Sequence, residues 1–176
     1  QMRRQMYDLR LEPETPVFLA PGARRAEVRE RVSAAGEVLV PLDADSLARA
    51  VDGLVGQQVE TIAVCFLFSF LHPEHEQAAR EYIEAHHPGV MVSLSSEVDP
   101  TFREYERTCV TAFDAYSKPV VDRYLGAMER DLAAAGVPAP LQIMQSRGGL
   151  AAAQVARQRP VRLFLSGPAA GVIGGR

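Results

Sequence analysis

Two short segments combine hydroxyl, amide and glycine residues in a way that could bind a ligand. Gln145-Ser146-Arg147-Gly148-Gly149 follows a predicted strand, and open α/β sheets bind ligands where their strands end. An ordinary turn with glycine at a positive φ explains it more simply. Ser166-Gly167-Pro168-Ala169-Ala170-Gly171 also joins a predicted strand to a helix, where free amides can bind phosphate. Pro168 removes one amide and no P-loop lysine follows, so close helix–strand packing is the simpler interpretation.

A third segment, Glu104-Tyr105-Glu106-Arg107-Thr108, places acid, base and hydroxyl side chains within a predicted helix. Glu104 and Arg107 are three residues apart, a spacing that favours an ion pair on an exposed helix face. Glu106 and Thr108 could instead point into a cleft. For any single one of these residues, a solvated ion pair is the simpler role.

The spacing of histidine and cysteine does not predict a metal site. His72 and His75 could reach one metal ion from the same helix face, but no third ligand is apparent nearby. Cys65 lies inside an apolar run and Cys109 inside a helical pattern, without metal-ligand spacing between them. Both are interpreted as reduced packing residues of a cytoplasmic protein.

Composition excludes two classes of partner. The chain has 176 residues, of which 47% are apolar and 23% charged, enough for one domain, or one domain and an appendage, with a hydrophobic core. A net charge of −3 gives no electrostatic footprint for nucleic acid or an anionic membrane surface. The longest apolar run, residues 62–71, is far shorter than the ~20 residues that span a bilayer. We therefore expect neither nucleic acid nor membrane as a partner.

Strand and helix patterns alternate along most of the chain. Residues 1–41 predict an extended, proline-rich segment and then a β-hairpin, with strands in 26–32 and 37–40 around Gly36. Residues 42–176 predict strands at 59–68, 90–94, 141–144 and 161–165. Helices are expected from Asp43 or Asp45, from His72 to Pro88, and over 151–157. This alternation predicts α/β layers around a largely parallel sheet.

Two further helices are predicted between residues 99 and 136. The first starts at Asp99-Pro100 and the second at Pro119, and Gly136 closes the second. The apolar positions of the first helix recur every three or four residues, which is the spacing of a helix. They are Phe102, Tyr105, Cys109, Phe113 and Tyr116.

Eight segments together resemble the hydantoinase/oxoprolinase family, and they occur in the expected order over nearly the whole chain. They are Pro41-Leu-Asp43, Ala63-Val-Cys-Phe-Leu-Phe-Ser-Phe70, Pro73-Glu-His-Glu76, Ser93-Leu-Ser-Ser-Glu-Val98, Arg103-Glu-Tyr-Glu-Arg-Thr108, Asp114-Ala-Tyr116, Ile143-Met-Gln-Ser146 with Gly148-Gly149, and Leu165-Ser-Gly-Pro-Ala-Ala-Gly-Val172. Members are N-methylhydantoinases, 5-oxoprolinases and subunits of acetone and acetophenone carboxylases. The resemblance implies a boundary between the N-terminal and main hydantoinase regions near residue 115.

The resemblance also implies a fold. It is that of an ATPase lobe like those of actin, sugar kinases and heat-shock chaperones, in which two α/β lobes grip the nucleotide. Each lobe contributes a phosphate-binding hairpin with an Asp-x-Gly-x-Thr pattern, and this pattern is absent from the sequence. We therefore expect a fragment that holds the latter part of the first lobe and the inter-lobe junction. The full-length protein would use ATP and Mg²⁺, whereas the isolated chain would bind neither and be inactive.

The function implied by the resemblance is ATP-dependent hydrolysis of a cyclic amide, of the hydantoin or 5-oxoproline type, through a phosphorylated intermediate. A ketone carboxylase subunit and a non-catalytic interaction module are the alternatives. Glu106, Arg107 and Thr108 are the candidate catalytic residues. The candidate cofactor-binding residues are Gln145, Ser146, Gly148, Gly149, Ser166 and Gly167. The expected partners are the small cyclic-amide substrate and a second hydantoinase-type subunit or domain. Sheet edges and apolar patches left open by the missing parts predict that the isolated chain self-associates.

Overall fold

A computed structural model of the chain describes residues 19–175, and its first strands form the predicted β-hairpin. Strand β1 (Arg31–Val32) pairs antiparallel with β2 (Val38–Val40). Gly36 adopts φ +84° in the turn between them, a value that glycine reaches without steric cost. The hairpin is confirmed, with shorter strands than predicted. The predicted extended segment up to residue 18 lies outside the described residues.

A β-α-β unit with one preceding helix forms the core. Helix α1 (Ala44–Val55) begins where Asp43 caps it: Ser46 N donates to Asp43 Oδ1 over 2.8 Å. Asp43 is one of the two caps that the sequence allowed. Strand β3 (Thr61–Val64), helix α2 (Glu74–His86) and strand β4 (Met91–Leu94) follow, and the two strands pair in parallel. The buried cluster consists of Leu47, Val51, Ile62, Val64, Ala79, Ile83 and Leu94.

The strand predicted over residues 59–68 ends early, at Val64. Two buried charged side chains bind the backbone of Phe66: its N–H donates to Glu76 Oε1 over 2.9 Å, and its carbonyl accepts from Arg107 Nη2 over 3.0 Å. With both groups occupied, Phe66 cannot continue the ladder. Residues 67–71 turn instead, and Phe68 adopts φ +60°.

One continuous helix replaces the two that were predicted between residues 99 and 136. After the short helix α3 (Ser95–Val98), helix α4 (Glu104–Ala134) runs through Pro119. A proline inside a helix costs about 3 kcal/mol relative to alanine. Contacts with β4 anchor the turn before it: Ser93 Oγ donates to Asp114 Oδ2 over 2.7 Å, and Lys118 Nζ donates to Val92 O over 2.7 Å. These tertiary contacts hold the helix across the proline.

The apolar positions of α4 repeat with the predicted period, but that face of the helix is exposed. Tyr105 and Tyr116 are 74% and 67% exposed, and Phe113 is 45% exposed. The opposite face is buried. It carries Arg107, Thr111, Asp114, Ala115, Pro119, Leu125 and Gly126. The aromatic residues that recur at helical spacing therefore lie on the exposed side of α4.

The last part of the described chain is a second hairpin followed by short helices. Strand β5 (Gln142–Met144) was predicted, and it pairs antiparallel with β6 (Leu150–Ala152), part of which was expected to be helical. Helix α5 (Ala153–Gln158), a 3₁₀ turn (Pro160–Leu163) and helix α6 (Ser166–Gly174) follow.

The strand predicted over residues 161–165 is wrong, because its backbone groups are bound elsewhere. Pro160 has no N–H to donate, Val161 N donates to Asp114 Oδ1 over 3.1 Å, and Arg162 O accepts from Ser146.

Residues 19–175 contain three two-stranded sheets, of which only β3–β4 is parallel. The largely parallel sheet that the sequence predicted is therefore not found in these residues. Among the described helices, none combines the length and apolar character needed to cross a membrane.

Candidate functional site

The two glycines of the first candidate segment lie in the turn between β5 and β6. Gly148 and Gly149 adopt φ +81° and +83°, a region that favours glycine. Gln145 N donates to Gly149 O and Gly148 N donates to Gln145 O, each over 3.0 Å. The segment therefore follows a strand, as predicted, but that strand belongs to an antiparallel hairpin. Its backbone fits the ordinary-turn interpretation.

This turn is attached to the segment that leads into α6. Ser146 N and Ser146 Oγ both donate to Arg162 O, over 2.8 and 3.0 Å. A Cβ atom on Gly148 would lie 3.3 Å from Ile173 Cδ1 of α6, which is tighter than an ordinary contact. The structure thus brings the turn at residues 145–149 together with α6, the helix that begins with the second candidate segment.

The first turn of α6 presents backbone amides without a side-chain cap. Leu165, in the left-handed conformation with φ +60°, precedes the helix and makes no capping hydrogen bond. Ser166 and Gly167 supply the first amides of the helix, whereas Pro168 has none. Unpaired amides and the helix dipole favour an anion at such an end. An ordinary turn at residues 145–149 and close packing of α6 are both compatible with an anion bound by the amides of Ser166 and Gly167.

The charge distribution around these segments also favours an anion. Residues 132–176 contain five arginines and no aspartate or glutamate, although the whole chain carries a net charge of −3. Arg157 is paired with Asp122 over 2.6 Å and with Glu129 over 3.1 Å. The overall net charge concealed this asymmetry, which a count by segment would have shown.

The three candidate catalytic residues lie on the first turns of α4. Arg107 is buried and donates to Ser95 Oγ over 3.1 Å and to Thr101 O over 2.6 Å, in addition to its bond with Phe66 O. The predicted ion pair with Glu104 is therefore wrong. Glu106 and Thr108 are exposed, and Glu106 Oε1 lies 3.4 Å from Arg103 Nη1. Within residues 19–175, no hydrogen bond joins these three residues to the 145–149 turn or to the start of α6.

Arg107 belongs to a buried polar network centred on Glu76. The Glu76 carboxylate accepts four hydrogen bonds: Phe66 N at 2.9 Å and Ser95 Oγ at 2.6 Å on Oε1, and Ser96 N and Oγ, both at 2.8 Å, on Oε2. These fill the four acceptor positions of a carboxylate. Ser95 Oγ uses its one hydrogen on Glu76, so it accepts from Arg107 Nε and from Ser69 Oγ, at 3.0 Å. Every member is therefore satisfied.

Sequence reasoning missed this network, although a signal was present. Glu76 lies at helical spacing before Ala79 and Ile83, on the buried face of α2. A charged residue at such a position is costly to bury unless it is hydrogen-bonded. The pattern therefore pointed to a partner on another element.

A second buried pair connects α4 to the candidate ligand segments. Asp114 binds Ser93 of β4 and the N–H of Val161, and Lys118 Nζ lies 3.5 Å from Asp114 Oδ2. Burial lowers the pKa of Lys118, and the neighbouring Asp114 carboxylate opposes that shift. Because residues 160–163 also hold Ser146, Asp114 indirectly fixes the position of the 145–149 turn.

A groove of about 840 Å³ lies between the outer edge of β4 and helices α2, α4 and α5. The Arg80 and Glu97 side chains in it form two hydrogen bonds of 2.8 Å, and Arg157 is paired as described above. The Arg80 and Arg157 guanidinium groups are therefore already neutralised by carboxylates. In the described part of the chain, no group of three or more His, Cys, Asp or Glu side chains is placed to hold a metal ion. His75 Nδ1 instead lies 2.8 Å from Glu30 Oε2.

Comparisons with known proteins find relatives over most of the chain. Residues 1–87 match the family described as hydantoinase/oxoprolinase N-terminal region, and residues 107–176 match the family described as hydantoinase/oxoprolinase. Caprolactamase subunit alpha from Pseudomonas jessenii is 37% identical over 152 residues, and the 5-oxoprolinase of Saccharomyces cerevisiae is 36% identical over 136 residues. These alignments cover 86% and 75% of this chain.

Two solved structures share the mixed helix and sheet arrangement. The crystal structure of ATP-dependent caprolactamase from Pseudomonas jessenii superposes with a TM-score of 0.84 at 34% identity, over 95% of this chain and 24% of that one. A nucleotide-free acetone carboxylase structure gives a TM-score of 0.65 at 26% identity, over 84% of this chain and 21% of that one. The chain spans 22% of the length of the caprolactamase subunit and 10% of that of the yeast 5-oxoprolinase.

Proposed function

The chain belongs to the hydantoinase/oxoprolinase family, and from this premise we propose that the complete protein is an ATP-dependent hydrolase of cyclic amides. The substrate would be of the hydantoin or 5-oxoproline type, and the ring would open through a phosphorylated intermediate. The observation that carries this proposal is the match to an ATP-dependent caprolactamase over 95% of the chain. Caprolactam and 5-oxoproline, named by two relatives, are both cyclic amides.

A subunit of an ATP-dependent ketone carboxylase is the second candidate. The acetone carboxylase structure supports it with a TM-score of 0.65. The higher TM-score and identity of the caprolactamase match, 0.84 and 34%, favour the hydrolase. A non-catalytic interaction module is the third candidate, and the ATP-dependent relatives argue against it.

We further propose that the chain forms part of an ATPase lobe of the actin, sugar-kinase and chaperone type. The candidate phosphate-facing residues are Ser166 and Gly167, whose amides begin α6, and the 145–149 turn that packs beside that helix. The absence of carboxylates from residues 132–176 fits a phosphate group. It does not fit Mg²⁺, which takes oxygen ligands and usually at least one carboxylate. The ligands for Mg²⁺ would therefore come from elsewhere in the complete protein.

ATP, when bound, would supply the phosphoryl group that converts the amide oxygen into a leaving group. The residues of this chain would contribute position and charge, which are the main sources of catalysis in phosphoryl transfer. In this proposal Gln145, Ser146, Gly148 and Gly149 form one wall of the nucleotide site, with Ser166 and Gly167 beside them. Glu106 and Thr108 remain catalytic candidates because they are exposed at the start of α4. Arg107 would act by holding that start in place.

Two proposals concern the protein beyond its chemistry. The relative named caprolactamase subunit alpha supports a second hydantoinase-type subunit or domain as a partner of the complete protein. We also propose that the isolated 176-residue chain lacks ATPase activity, since the Asp-x-Gly-x-Thr pattern of the phosphate-binding hairpins is absent from its sequence.

A comparison of substrates tests the proposed function in the complete protein. ADP release would be measured with hydantoin, 5-oxoproline or caprolactam, and separately with a ketone and bicarbonate. We expect ADP release that depends on a cyclic amide and yields the ring-opened product in equal amount. Turnover with ketone and bicarbonate alone would establish the carboxylase alternative, and no turnover with either set would favour the interaction module.

A further inference from the structure

Helix α4 exposes an uninterrupted apolar stripe on the side opposite its buried face. We define the α4 stripe as Tyr105, Cys109, Phe113, Tyr116, Val120 and Tyr124. Five of these side chains are between 45% and 74% exposed, and Cys109 is half-buried. Phe164 packs edge-on against Phe113 at 6.1 Å between ring centroids and widens the stripe at its middle.

The stripe is unusually large for a surface that faces water. Aromatic side chains offer about 150–250 Å² each, so at these exposed fractions the stripe presents roughly 600 Å², and more with its neighbour Phe164. That is at the upper limit for the largest apolar patch of a typical monomer. It approaches the ~800 Å² that each partner contributes to a stable interface.

The spacing of the stripe makes it self-complementary. Successive members are separated by four, four, three, four and four residues, and this series is the same in either direction. Two antiparallel copies of α4, related by a two-fold axis between Phe113 and Tyr116, therefore place apolar residues opposite one another along the stripe. Tyr105 meets Tyr124 of the second copy, and Cys109 meets Val120. The charged side chains Asp114 and Lys118 lie on the buried face, away from this contact.

We propose that the α4 stripe is the surface through which two copies of this chain associate, with their α4 helices antiparallel. This goes beyond the proposed function and does not depend on it. Rival surfaces are the open sheet edges that the sequence suggested for self-association, and in the described part of the chain the outer edge of β3 is one of them. That strand is only four residues long, and short edges pair weakly.

Sedimentation velocity of the 176-residue chain over a wide concentration range tests the association. Tyr116→Lys places a charge at the centre of the stripe, and it is expected to weaken dimerisation by roughly tenfold or more. Leu39→Lys is the matched control, because Leu39 is 61% exposed on the distant β1–β2 hairpin. Far-UV circular dichroism checks that both variants fold.

Disulfide cross-linking tests the antiparallel register in a Cys109→Ser background. We expect a mixture of Tyr105→Cys and Tyr124→Cys chains to cross-link, while Tyr105→Cys alone does not. In the antiparallel pair, the two copies of residue 105 are 19 residues apart along the helix axis, or about 28 Å, far beyond the reach of a disulfide.

Four results would overturn the proposal. The first is that the chain stays monomeric at all concentrations, and the second is that Tyr116→Lys does not weaken the dimer. The third is that Tyr105→Cys chains cross-link to one another. The fourth is that a longer form of the protein is monomeric and shields the stripe tyrosines from hydroxyl-radical labelling. That result would show that another part of the same polypeptide covers the stripe.

Discussion

Replacing Glu76 with glutamine tests the buried network that fixes the start of α4. Glutamine keeps the shape of the side chain but exchanges one acceptor oxygen for an NH₂ group that only donates. Both oxygens of Glu76 now accept from two donors each. Whichever way the amide is oriented, its NH₂ group therefore faces two donors.

The less costly orientation turns the NH₂ group toward Ser96. The Ser96 hydroxyl can rotate and accept a hydrogen bond, but the Ser96 N–H loses its acceptor. Turning the NH₂ group toward Ser95 is worse, because Ser95 Oγ already accepts from Arg107 and Ser69. A buried donor without a partner costs about 1–3 kcal/mol, and charge-assisted bonds become weaker neutral ones. The total loss for Glu76→Gln is roughly 3–5 kcal/mol of unfolding free energy.

Urea unfolding followed by far-UV circular dichroism measures this loss. Glu81→Gln is the matched control, because Glu81 lies on the same helix and is exposed. An exposed substitution of this kind changes stability by no more than about 0.5 kcal/mol. A loss below about 1 kcal/mol for Glu76→Gln would refute the four-bond network and, with it, the view that Arg107 is held in place by buried hydrogen bonds.

Three further predictions follow from individual residues. Gly148→Ala should cost up to about 1 kcal/mol more than Gly149→Ala in thermal unfolding. Both glycines have positive φ, but only at Gly148 would the added methyl group lie 3.3 Å from the Ile173 side chain of α6. Equal losses would contradict the packing of the turn on that helix. Burial raises the pKa of the Cys65 thiol from 9.0 to about 11. The buried thiol therefore stabilises the fold fully below pH 9, and the free energy of unfolding falls by up to about 2–3 kcal/mol as the pH rises to 11. Cys65→Ala should lack this alkaline loss in pH-dependent urea unfolding. The hydrogen bonds from Arg80 hold the pKa of the Glu97 carboxyl below its usual value of 4.5, so the pair stabilises the fold above that pH and the contribution disappears on acidification. Since the pair is partly exposed, Glu97→Gln should remove no more than about 1 kcal/mol of unfolding free energy near neutral pH, measured by urea unfolding.

Local signals in the sequence predicted the elements that depend on local chemistry. Asp43 caps α1 through a backbone N–H three residues away, and Gly36 supplies the positive φ of the first hairpin. The turn at Gly148 and Gly149 was predicted for the same reason. In each case the decisive contact is made within a few residues of the side chain that signals it.

Two of the wrong predictions, both of strands, share a different cause, which is binding of backbone groups by distant side chains. Glu76 and Arg107 end β3 at its carboxyl end by binding Phe66, ten and 41 residues away. Asp114 takes the N–H of Val161, 47 residues away, and removes the last predicted strand. The orientation of α4 could not be predicted either, because its buried face is polar and its exposed face aromatic.

The candidate ligand site was predicted in part. The residues of the 145–149 turn and of Ser166-Gly167 were identified from their type and position, and the structure places the turn beside α6. The bond from Ser146 to Arg162 could not be predicted, because it depends on a 3₁₀ turn that replaced an expected strand. The role of Arg107 was also not predictable, since an arginine in an acidic helix segment ordinarily indicates an exposed ion pair.

The fate of the amide oxygen tests the proposed reaction most directly. The complete protein would be supplied with ATP and a cyclic amide whose carbonyl carries ¹⁸O, and the released phosphate would be examined by mass spectrometry. If the amide oxygen is phosphorylated, one water adds to the ring carbon and the C–N bond breaks, which leaves an acyl phosphate and the free amine. A second water then displaces phosphate from that carbon, so each phosphate released should carry one ¹⁸O. Unlabelled phosphate, with the ¹⁸O retained in the new carboxylate, would contradict the proposal that phosphorylation makes the amide oxygen a leaving group.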